Sequence, residues 1–318
     1  MQNLKMYANL HTHSTHSDGA YDPRKLVSIA AREGYRAFAV TDHDTATACP
    51  HVKAECEKHG MEYLFGVEFS SPCRELGTGF HITGYLFDPT YEPMRLYLEE
   101  RSACEAHQTK ELFDRGVREG LLTDIFWEEV CEYNKGITWL CNEHVFRTLK
   151  AKGLKQDTDY PDFFQTVYGK RRGEVKPLYP FLQADKIIRL INDAGGIAIV
   201  AHPANQLQYV EALTKMGIAG IEVWHPDVRL QSPTEELEAL RMAQRYDLFV
   251  SGGSDHSGLC GGQYERYEHP EETEFYFPPC TLGTTEEFFR EIMLGKKSAD
   301  RADVLAHYIE LQRQISEQ

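Results

Sequence analysis

The sequence of 318 residues lacks any apolar run close to the ~20 residues that a membrane-spanning helix requires. Its first residues, MQNLKMYANLH, also lack the charged segment, long apolar stretch and small-residue cleavage site of a secretion signal. We therefore expect no membrane span and no membrane partner. The default expectation for the location is the cytoplasm.

Paired cysteines and excess positive charge are missing as well. The eight cysteines include no C-x-x-C pair, which disfavours a disulfide scaffold or a zinc ribbon and predicts reduced thiols. Only 34 lysines and arginines stand against 49 acidic residues, for a formal net charge of −15. Broad nucleic-acid binding needs a basic surface, so we expect no stable nucleic-acid partner. The sequence leaves the oligomeric state open.

What is present is the alternation of strand and helix patterns. Seven runs rich in β-branched and aromatic residues predict strands at residues 5–11, 36–42, 62–69, 80–87, 196–202, 218–224 and 247–253. Helical patterns lie between several of them, for example from Pro23 to Gly34, which is typical of a parallel sheet with helical crossovers. Residues 88–183 have mostly helical periodicity. The sequence therefore predicts an α/β domain of residues 1–87 and 184–318 with an inserted, mainly helical subdomain of residues 88–183.

Polar side chains cluster where these predicted strands begin or end. They are His11, His13, Asp42, His43, Glu68, His81, His202, His225, Asp255 and His256. In a parallel barrel the carboxyl ends of the strands meet at one mouth, so this pattern predicts a polynuclear metal site. His11 and His13 leave an extended chain on the same face, and a carboxylate such as Glu68 can bridge two cations. Mixed imidazole and carboxylate ligation suits Mn, Fe or Zn.

Each residue also has a simpler interpretation. Paired histidines on a strand are often only polar surface. Asp42 could cap the following helix, His202 before Pro203 could be a turn residue, and Asp255 could bond to its own loop. Glu68 is harder to explain, because a carboxylate inside a buried strand is costly unless it is paired or metal-bound. The metal-site hypothesis depends on all of these residues lying at strand ends together.

Seven motifs resemble those of the polymerase and histidinol phosphatase (PHP) family of metal-dependent phosphoesterases. They are NLHTHSTHSDG (9–19), AVTDHDT (39–45), GVEFS (66–70), FHITGY (80–85), GGIAIVAHP (195–203), GIEVWHP (220–226) and GGSDHSG (252–258). The resemblance implies a distorted seven-stranded, TIM-like (β/α)7 barrel. It also implies two or three divalent transition-metal ions as cofactors.

The resemblance further implies a division of the ligands. His11, His13, Glu68 and Asp255 would hold one ion, and a second would lie between Glu68, His81 and His202. Asp18 and His43 would hold a third. Family members commonly carry a histidine two residues after the aspartate that corresponds to Asp255, whereas this chain has His256 directly after it and then Ser257. His256 is therefore a candidate ligand of the third ion through a changed turn.

The predicted insertion resembles that of the small-molecule phosphatase branch, in which an Arg-Pro-His motif opens a helix. Here the segment is Asn142-Glu143-His144, so the arginine that would clamp a phosphate is absent. His144 keeps its place. The other candidates for substrate binding are Arg147, Arg171, Arg172 and Lys176, although the last three could equally form a solvated basic loop.

The leading hypothesis is a phosphoesterase that acts on a small phosphorylated substrate, a nucleotide or a phosphosugar. It would hydrolyse a monoester, or open a cyclic phosphodiester and then remove the resulting monoester. The candidate catalytic residues are His225, Asp255 and His256, with His225 either a proton donor or a hydrogen-bond partner of a metal ligand. An exonuclease, for which the acidic charge is unfavourable, and a non-enzymatic regulatory module are the alternatives.

Overall fold

The computed structural model describes residues 4–232, 234–256 and 280–317. The strands in this part of the chain are β1 (Ala8–Asn9), β2 (Ala37–Phe38), β3 (Glu62–Tyr63), β4 (Gly66–Cys73), β5 (Thr78–Tyr85), β6 (Ile197–Val200), β7 (Gly220–Trp224) and β8 (Phe249–Gly252). The α-helices are α1 (Pro23–Glu33), α2 (Cys49–His59), α3 (Glu92–Arg118), α4 (Trp127–Tyr133), α5 (Asn142–Ala151), α6 (Tyr160–Phe163), α7 (Ala184–Asp193), α8 (Val210–Met216), α9 (Pro226–Gln231), α10 (Glu235–Tyr246), α11 (Glu286–Leu294) and α12 (Arg301–Ser316).

Helix α1 shows how the local sequence sets the helix ends. The Asp22 side chain accepts a hydrogen bond of 2.9 Å from the Lys25 amide, which caps the first turn, and Pro23 occupies the first helical position. Gly34 ends the helix with a φ of 97°, a conformation that suits glycine. The helix predicted from Pro23 to Gly34 is confirmed.

The strands form two sheets, and this corrects part of the sequence prediction. In the described residues β1, β2 and β3 form a parallel sheet, while β4 to β8 form a second sheet in chain order. The predicted strand 62–69 is divided between β3 and β4. Strand β5 runs antiparallel to both β4 and β6, because the turn of residues 74–77 is too short for a parallel crossover. The described strands therefore do not form the predicted seven-stranded barrel as one closed hydrogen-bonded ladder.

Single bridges connect the two sheets at the ends that carry the polar residues. Thr12 bridges His256 beyond β1 and β8, and His43 bridges Glu68 between the end of β2 and the start of β4. Hydrogen bonds from the Asp255 amide to the His11 carbonyl (2.8 Å) and from the His13 amide to the His256 carbonyl (2.9 Å) strengthen the first connection. The polar ends of both sheets are thereby brought into one place.

The buried apolar side chains of the described residues form three clusters. Two of them are a main core around the sheets and a second cluster whose residues lie mostly between β5 and α7 along the chain. Phe69, Ile188 and Trp224 are buried in the main core. Leu112 and Phe146 belong to the second cluster, which is built almost wholly by residues 112–175. The first turns of α3 still pack on the main core through Met94. The long helix α3 therefore joins the two cores.

Two further expectations can be compared with the described residues. The seven cysteines that the structure describes are free thiols, as predicted, while Cys260 lies outside the described residues. Within the described ranges, none of the helices combines the length and the apolar composition that a membrane span needs.

Candidate metal centre

Glu68 stands at the centre of a buried cluster of histidines. Its carboxylate is 1% exposed and lies near the start of β4, between the buried residues Val67 and Phe69. Imidazole nitrogens of five histidines from four different segments lie between 3.0 and 3.3 Å from its two oxygens: His11, His13, His43, His81 and His202. A single carboxylate is therefore shared by all of these side chains.

Two further carboxylates lie on opposite sides of His13. Its Nε2 atom lies 2.9 Å from Asp255 Oδ1, and its Nδ1 atom lies 3.6 Å from Asp18 Oδ1. Asp18 also approaches His43, with 3.6 Å between Oδ2 and Nε2. Gly253 permits the approach of Asp255, because a Cβ atom at Gly253 would lie only 2.3 Å from the Cβ of His11. The sequence prediction that these residues converge holds for this group.

The donor atoms of the cluster fit divalent metal ions. His11 Nε2, both ring nitrogens of His13, His43 Nδ1 and Glu68 Oε2 are buried and have no hydrogen-bond partner. Buried polar atoms are normally paired, so a set of unpaired atoms that face one another indicates a ligand. Four groups of three side chains bring their ligand atoms within 4.8 Å of one another: His11, His225 and Asp255; His11, His13 and Glu68; His13, Asp18 and His43; and His43, Glu68 and His81.

The charges within the cluster keep the carboxylates ionised. Burial would raise the pKa of Glu68, but the surrounding histidines, His81 first among them, hold this pKa well below its usual range. For His13, burial lowers the pKa while Asp18 and Asp255 raise it, and the outcome is a pKa of about 9. In His43 burial prevails and lowers the pKa. Ionised carboxylates are the form that binds a cation.

Glu222, on β7, is a residue of this site that the sequence analysis missed. Both of its carboxylate oxygens lie within 3.1 Å of His11 Nδ1, and Oε2 accepts a hydrogen bond of 2.8 Å from the His202 amide. This leaves His11 Nε2 directed at Glu68 and Asp255. A carboxylate that holds the far nitrogen of a ligating histidine is a common feature of metal sites. The signal that could have identified Glu222 is the same as for Glu68, because it too is an acidic residue within a buried strand, GIEVW.

His225 also contacts this part of the cluster. It is fully buried at the start of α9, where its Nδ1 atom accepts a hydrogen bond of 3.1 Å from the Asp227 amide. A neutral imidazole that accepts at Nδ1 carries its proton on Nε2. That Nε2 atom lies 3.4 Å from Asp255 Oδ2. His225 thus faces Asp255 with this nitrogen, which makes no hydrogen bond of normal geometry among the described residues.

His256 lies apart from the four groups of ligand atoms. Its side chain is 1% exposed, its ring centroid lies 5.4 Å from that of Tyr21, and burial lowers its pKa to about 3. The neighbouring Ser257 lies outside the described residues. The structure therefore brings Asp18 and His43 together at the predicted third position and does not add His256 to them.

The loop that carries Asp18 is held from inside by Asp42. This buried carboxylate accepts hydrogen bonds from the Ser14 amide (2.7 Å), the Ser14 hydroxyl (2.7 Å) and the Ser17 hydroxyl (2.6 Å). The loop following β1 is therefore fixed to the end of β2. Asp42 stabilises this loop, whereas a role as a helix cap was the simpler interpretation of its sequence position.

The same loop is held from outside by α5. His144 is fully buried, and its Nε2 atom lies 3.0 Å from the Thr15 carbonyl oxygen. The guanidinium of Arg147 donates to the carbonyl oxygen of Gly19 and, at 3.4 Å, to that of Thr15. Both predicted substrate-binding side chains are thus engaged with backbone carbonyls. These hydrogen bonds stabilise the loop that carries Asp18.

The contacts of Arg171, Arg172 and Lys176, which were candidates for substrate binding, differ from those of a phosphate clamp. The Nη2 atom of Arg172 lies 2.6 and 2.5 Å from the two carboxylate oxygens of Glu105, and Arg171 pairs with Glu119. Lys176 is exposed. The two arginines are occupied by carboxylates of α3 and of the residue that follows it.

A cavity of 680 Å³ opens beside His81 and His202. Its volume is in the range of sites for small molecules. Apart from these two histidines, the described lining contains no cationic side chain: it consists mainly of small, amide and apolar residues, with Asp227 as its acidic member. On the other side of the cluster, the ring of Trp139 stacks on His43 with 6.0 Å between centroids. A small molecule in the cavity would therefore lie next to His81 and His202 of the cluster.

The fold and the cluster together define an α/β protein with a buried cluster of histidines and carboxylates that is able to bind metal ions. Comparison with known families agrees with this, because the family model described as the PHP domain matches residues 9–176. The chain belongs to the PHP domain family.

Three known proteins show how far the similarity extends. The phosphoribosyl 1,2-cyclic phosphate 1,2-diphosphodiesterase of Eggerthella lenta is 28% identical over 262 residues, which cover 80% of this chain and 96% of that protein. A 5'-3' exoribonuclease of Haemophilus influenzae is 29% identical over 261 residues, which cover 80% and 90%. A crystal structure assigned to a metal-dependent phosphoesterase of Bifidobacterium adolescentis superimposes with a TM-score of 0.70 at 24% identity, covering 94% of this chain and 99% of that one.

Proposed function

We propose that this chain is a metal-dependent hydrolase of phosphate esters that acts on a small phosphorylated metabolite, a nucleotide or a phosphosugar. The observation that carries the proposal is the Glu68 carboxylate within 3.3 Å of nitrogens of five histidines. Such an arrangement suits two cations that share one carboxylate. Hydrolysis of phosphoric ester bonds is the reaction class of the Eggerthella relative, and the family membership supports it.

We assign the ligands by combining the resemblance with the geometry. His11, His13, Glu68 and Asp255 would hold one ion, and Glu68, His81 and His202 would hold a second. Asp18 and His43 would hold a third, without His256. Bound Mn, Fe or Zn would lower the pKa of a water molecule and offset the negative charge of the phosphoryl group.

The protein's own residues would keep this centre in shape. Glu222 fixes the ring of His11 and the backbone of His202 at once. His225 faces Asp255 with its Nε2 atom, and its complete burial favours a positioning role over proton donation to a leaving group. We therefore place Asp255 in the reaction as a metal ligand and His225 as a residue that acts through it.

The insertion has a supporting role in this proposal. We regard residues 88–183 as an insertion into a distorted barrel whose two sheets join at the bridges Thr12–His256 and His43–Glu68. Its residues His144 and Arg147 would act on the substrate indirectly, by fixing the loop that carries Asp18. The ion pairs of Arg171 with Glu119 and of Arg172 with the buried Glu105 do not favour a direct role in phosphate binding.

Both a phosphomonoester and a cyclic phosphodiester fit the proposal. The activity for which the Eggerthella relative is named supports a cyclic diester that is first opened to a monoester, from which a second hydrolysis releases phosphate. The second candidate function is 5'-3' hydrolysis of RNA, which the Haemophilus relative favours. The absence of lysine and arginine from the described lining of the cavity and the net charge of −15 argue for the small substrate, because strand-binding grooves are usually basic.

The deciding experiment incubates the Mn-loaded protein with a phosphomonoester, a sugar 1,2-cyclic phosphate, a 2',3'-cyclic nucleotide and a short 5'-phosphorylated RNA, and measures free phosphate together with the monoesters and nucleotides that are released. We expect turnover of the small esters and its loss in Glu68→Gln. Glu236→Gln is the matched control, because Glu236 is a buried carboxylate that pairs with Arg229 away from the cluster. Preferential release of nucleotides from RNA would favour the second candidate. No hydrolysis of any ester would refute the proposal.

A further inference from the structure

The cavity beside His81 and His202 has an aromatic wall formed by Phe181. Phe181 is 37% exposed and borders the cavity, as does Leu230, which is 52% exposed. An aromatic surface open to a cavity is suited to stacking against a planar ligand.

Phe181 is also held in place from behind. The guanidinium carbon of Arg101, on α3, lies 3.6 Å from the centroid of the Phe181 ring. Arg101 is itself 3% exposed, and its Nη1 atom donates to the Tyr179 carbonyl oxygen at 3.3 Å. A buried guanidinium stacked on an aromatic ring restricts the motion of that ring. The aromatic wall is therefore prearranged rather than a loose surface side chain.

An amide pair on the wall of the same cavity supplies hydrogen-bonding groups. Asn205 Nδ2 donates to Gln231 Oε1 over 2.7 Å. This leaves Asn205 Oδ1 as an acceptor and the Gln231 amide nitrogen as a donor within one cavity. A neighbouring donor and acceptor match the edge of a nucleobase, which presents the complementary groups.

The charge of the cavity points to an uncharged group. The described lining contains no lysine or arginine, and Asp227 adds a negative charge. A second phosphate would be poorly accommodated there, whereas a neutral heterocycle would not be repelled. The phosphate to be hydrolysed would instead lie at the metal centre next to His81 and His202.

We propose that this cavity takes the base of a nucleotide, with Phe181 stacking on the heterocycle and Asn205 and Gln231 contacting its edge. This inference rests on the proposed function and narrows it, since it selects nucleotides over plain phosphosugars as substrates.

The test measures binding and turnover separately. Adenosine and ribose are titrated calorimetrically into wild-type protein, Phe181→Ala, and the control Phe126→Ala, whose ring is 67% exposed and does not border the cavity. We expect adenosine to bind to the wild type and to Phe126→Ala, and ribose to bind to neither. Loss of a stacking contact should weaken adenosine binding by about 5- to 150-fold in Phe181→Ala. Phe181→Trp should restore it.

Phosphate release from adenosine 5'-monophosphate and from ribose 5-phosphate completes the test. We expect Phe181→Ala to raise KM for the nucleotide and so to reduce the preference for the nucleotide over ribose 5-phosphate, whereas Phe126→Ala should keep the wild-type preference. Equal adenosine binding by wild type and Phe181→Ala, or equal binding of ribose and adenosine, would overturn the subsite even if esters are hydrolysed. Phe181-dependent adenosine binding without hydrolysis of any ester would retain the subsite and refute the proposed function.

Discussion

Replacing Glu222 by glutamine should weaken metal binding without unfolding the protein. The carboxylate is 1% exposed, and its oxygens lie 3.0 and 3.1 Å from His11 Nδ1. Glutamine has nearly the same shape and can still accept one hydrogen bond, but it removes the negative charge that makes His11 a better ligand. Changes of this kind typically cost about 10- to 100-fold in metal affinity or activity. That range corresponds to about 1.4 to 2.8 kcal/mol.

The assay is a competition between the protein and a chromogenic chelator for Mn or Zn, with thermal unfolding measured on the same samples. We expect Glu222→Gln to lose affinity for the ion at His11, while Glu236→Gln, which alters a buried carboxylate elsewhere, keeps wild-type affinity. Glu222→Ala should be worse than Glu222→Gln, because it also leaves the His202 amide without its acceptor. Wild-type metal affinity in Glu222→Gln would refute the argument that this carboxylate tunes His11.

Three more outcomes can be measured directly. Adding Mn to chelator-treated protein should raise Tm. When the free ion exceeds its Kd about 100-fold, the free energy of unfolding should increase by about 2.7 kcal/mol. The Glu68→Gln variant should show little of this stabilisation. Arg147→Ala should lower the free energy of unfolding in urea by about 1 to 3 kcal/mol, because the buried Gly19 carbonyl oxygen loses this donor. Arg171→Ala removes an ion pair with Glu119 and should lower it by less than about 1 kcal/mol. Similar losses in the two variants would contradict the assignment of Arg147 to loop stabilisation. Asp42→Asn should destabilise the loop after β1 by about 1.5 to 3 kcal/mol and reduce the Mn content, and an unchanged Mn content would argue against the loop's role.

The positions of the ligand candidates could be predicted because polar side chains stand out against buried strands. Glu68 is the clearest example, since its neighbours in β4 are buried and a lone carboxylate there is costly. The same reasoning would have identified Glu222 within β7. What the sequence could not provide is the partner, because the contact between Glu222 and His11 joins residues 211 positions apart.

The direction of β5 was predicted incorrectly although the signal was present. Only residues 74–77 separate β4 from β5, and a connection of that length requires a hairpin. The antiparallel direction explains why His81, near the start of its strand, lies with residues at the ends of parallel strands. In a parallel barrel it would have been at the opposite mouth.

The arginines predicted to bind phosphate show a second limit of prediction from sequence. A cluster such as KRRGEVK indicates available positive charge but not which acidic side chains will meet it after folding. Arg172 is paired because α3 places Glu105 opposite it, in a contact 67 residues apart. Periodicity within α3 could not reveal that pairing.

The hydrogen bonds between α5 and the loop beside the metal centre have a consequence for how such proteins diverge in sequence. His144 and Arg147 contact main-chain oxygens of residues 15–19, and these oxygens exist whatever side chains the loop carries. Substitutions in the loop can therefore alter what the centre accepts while the loop keeps its path. A transplanted insertion, in contrast, would have to bring its own equivalents of these two side chains, so loop and insertion differ in how freely they can be exchanged between relatives.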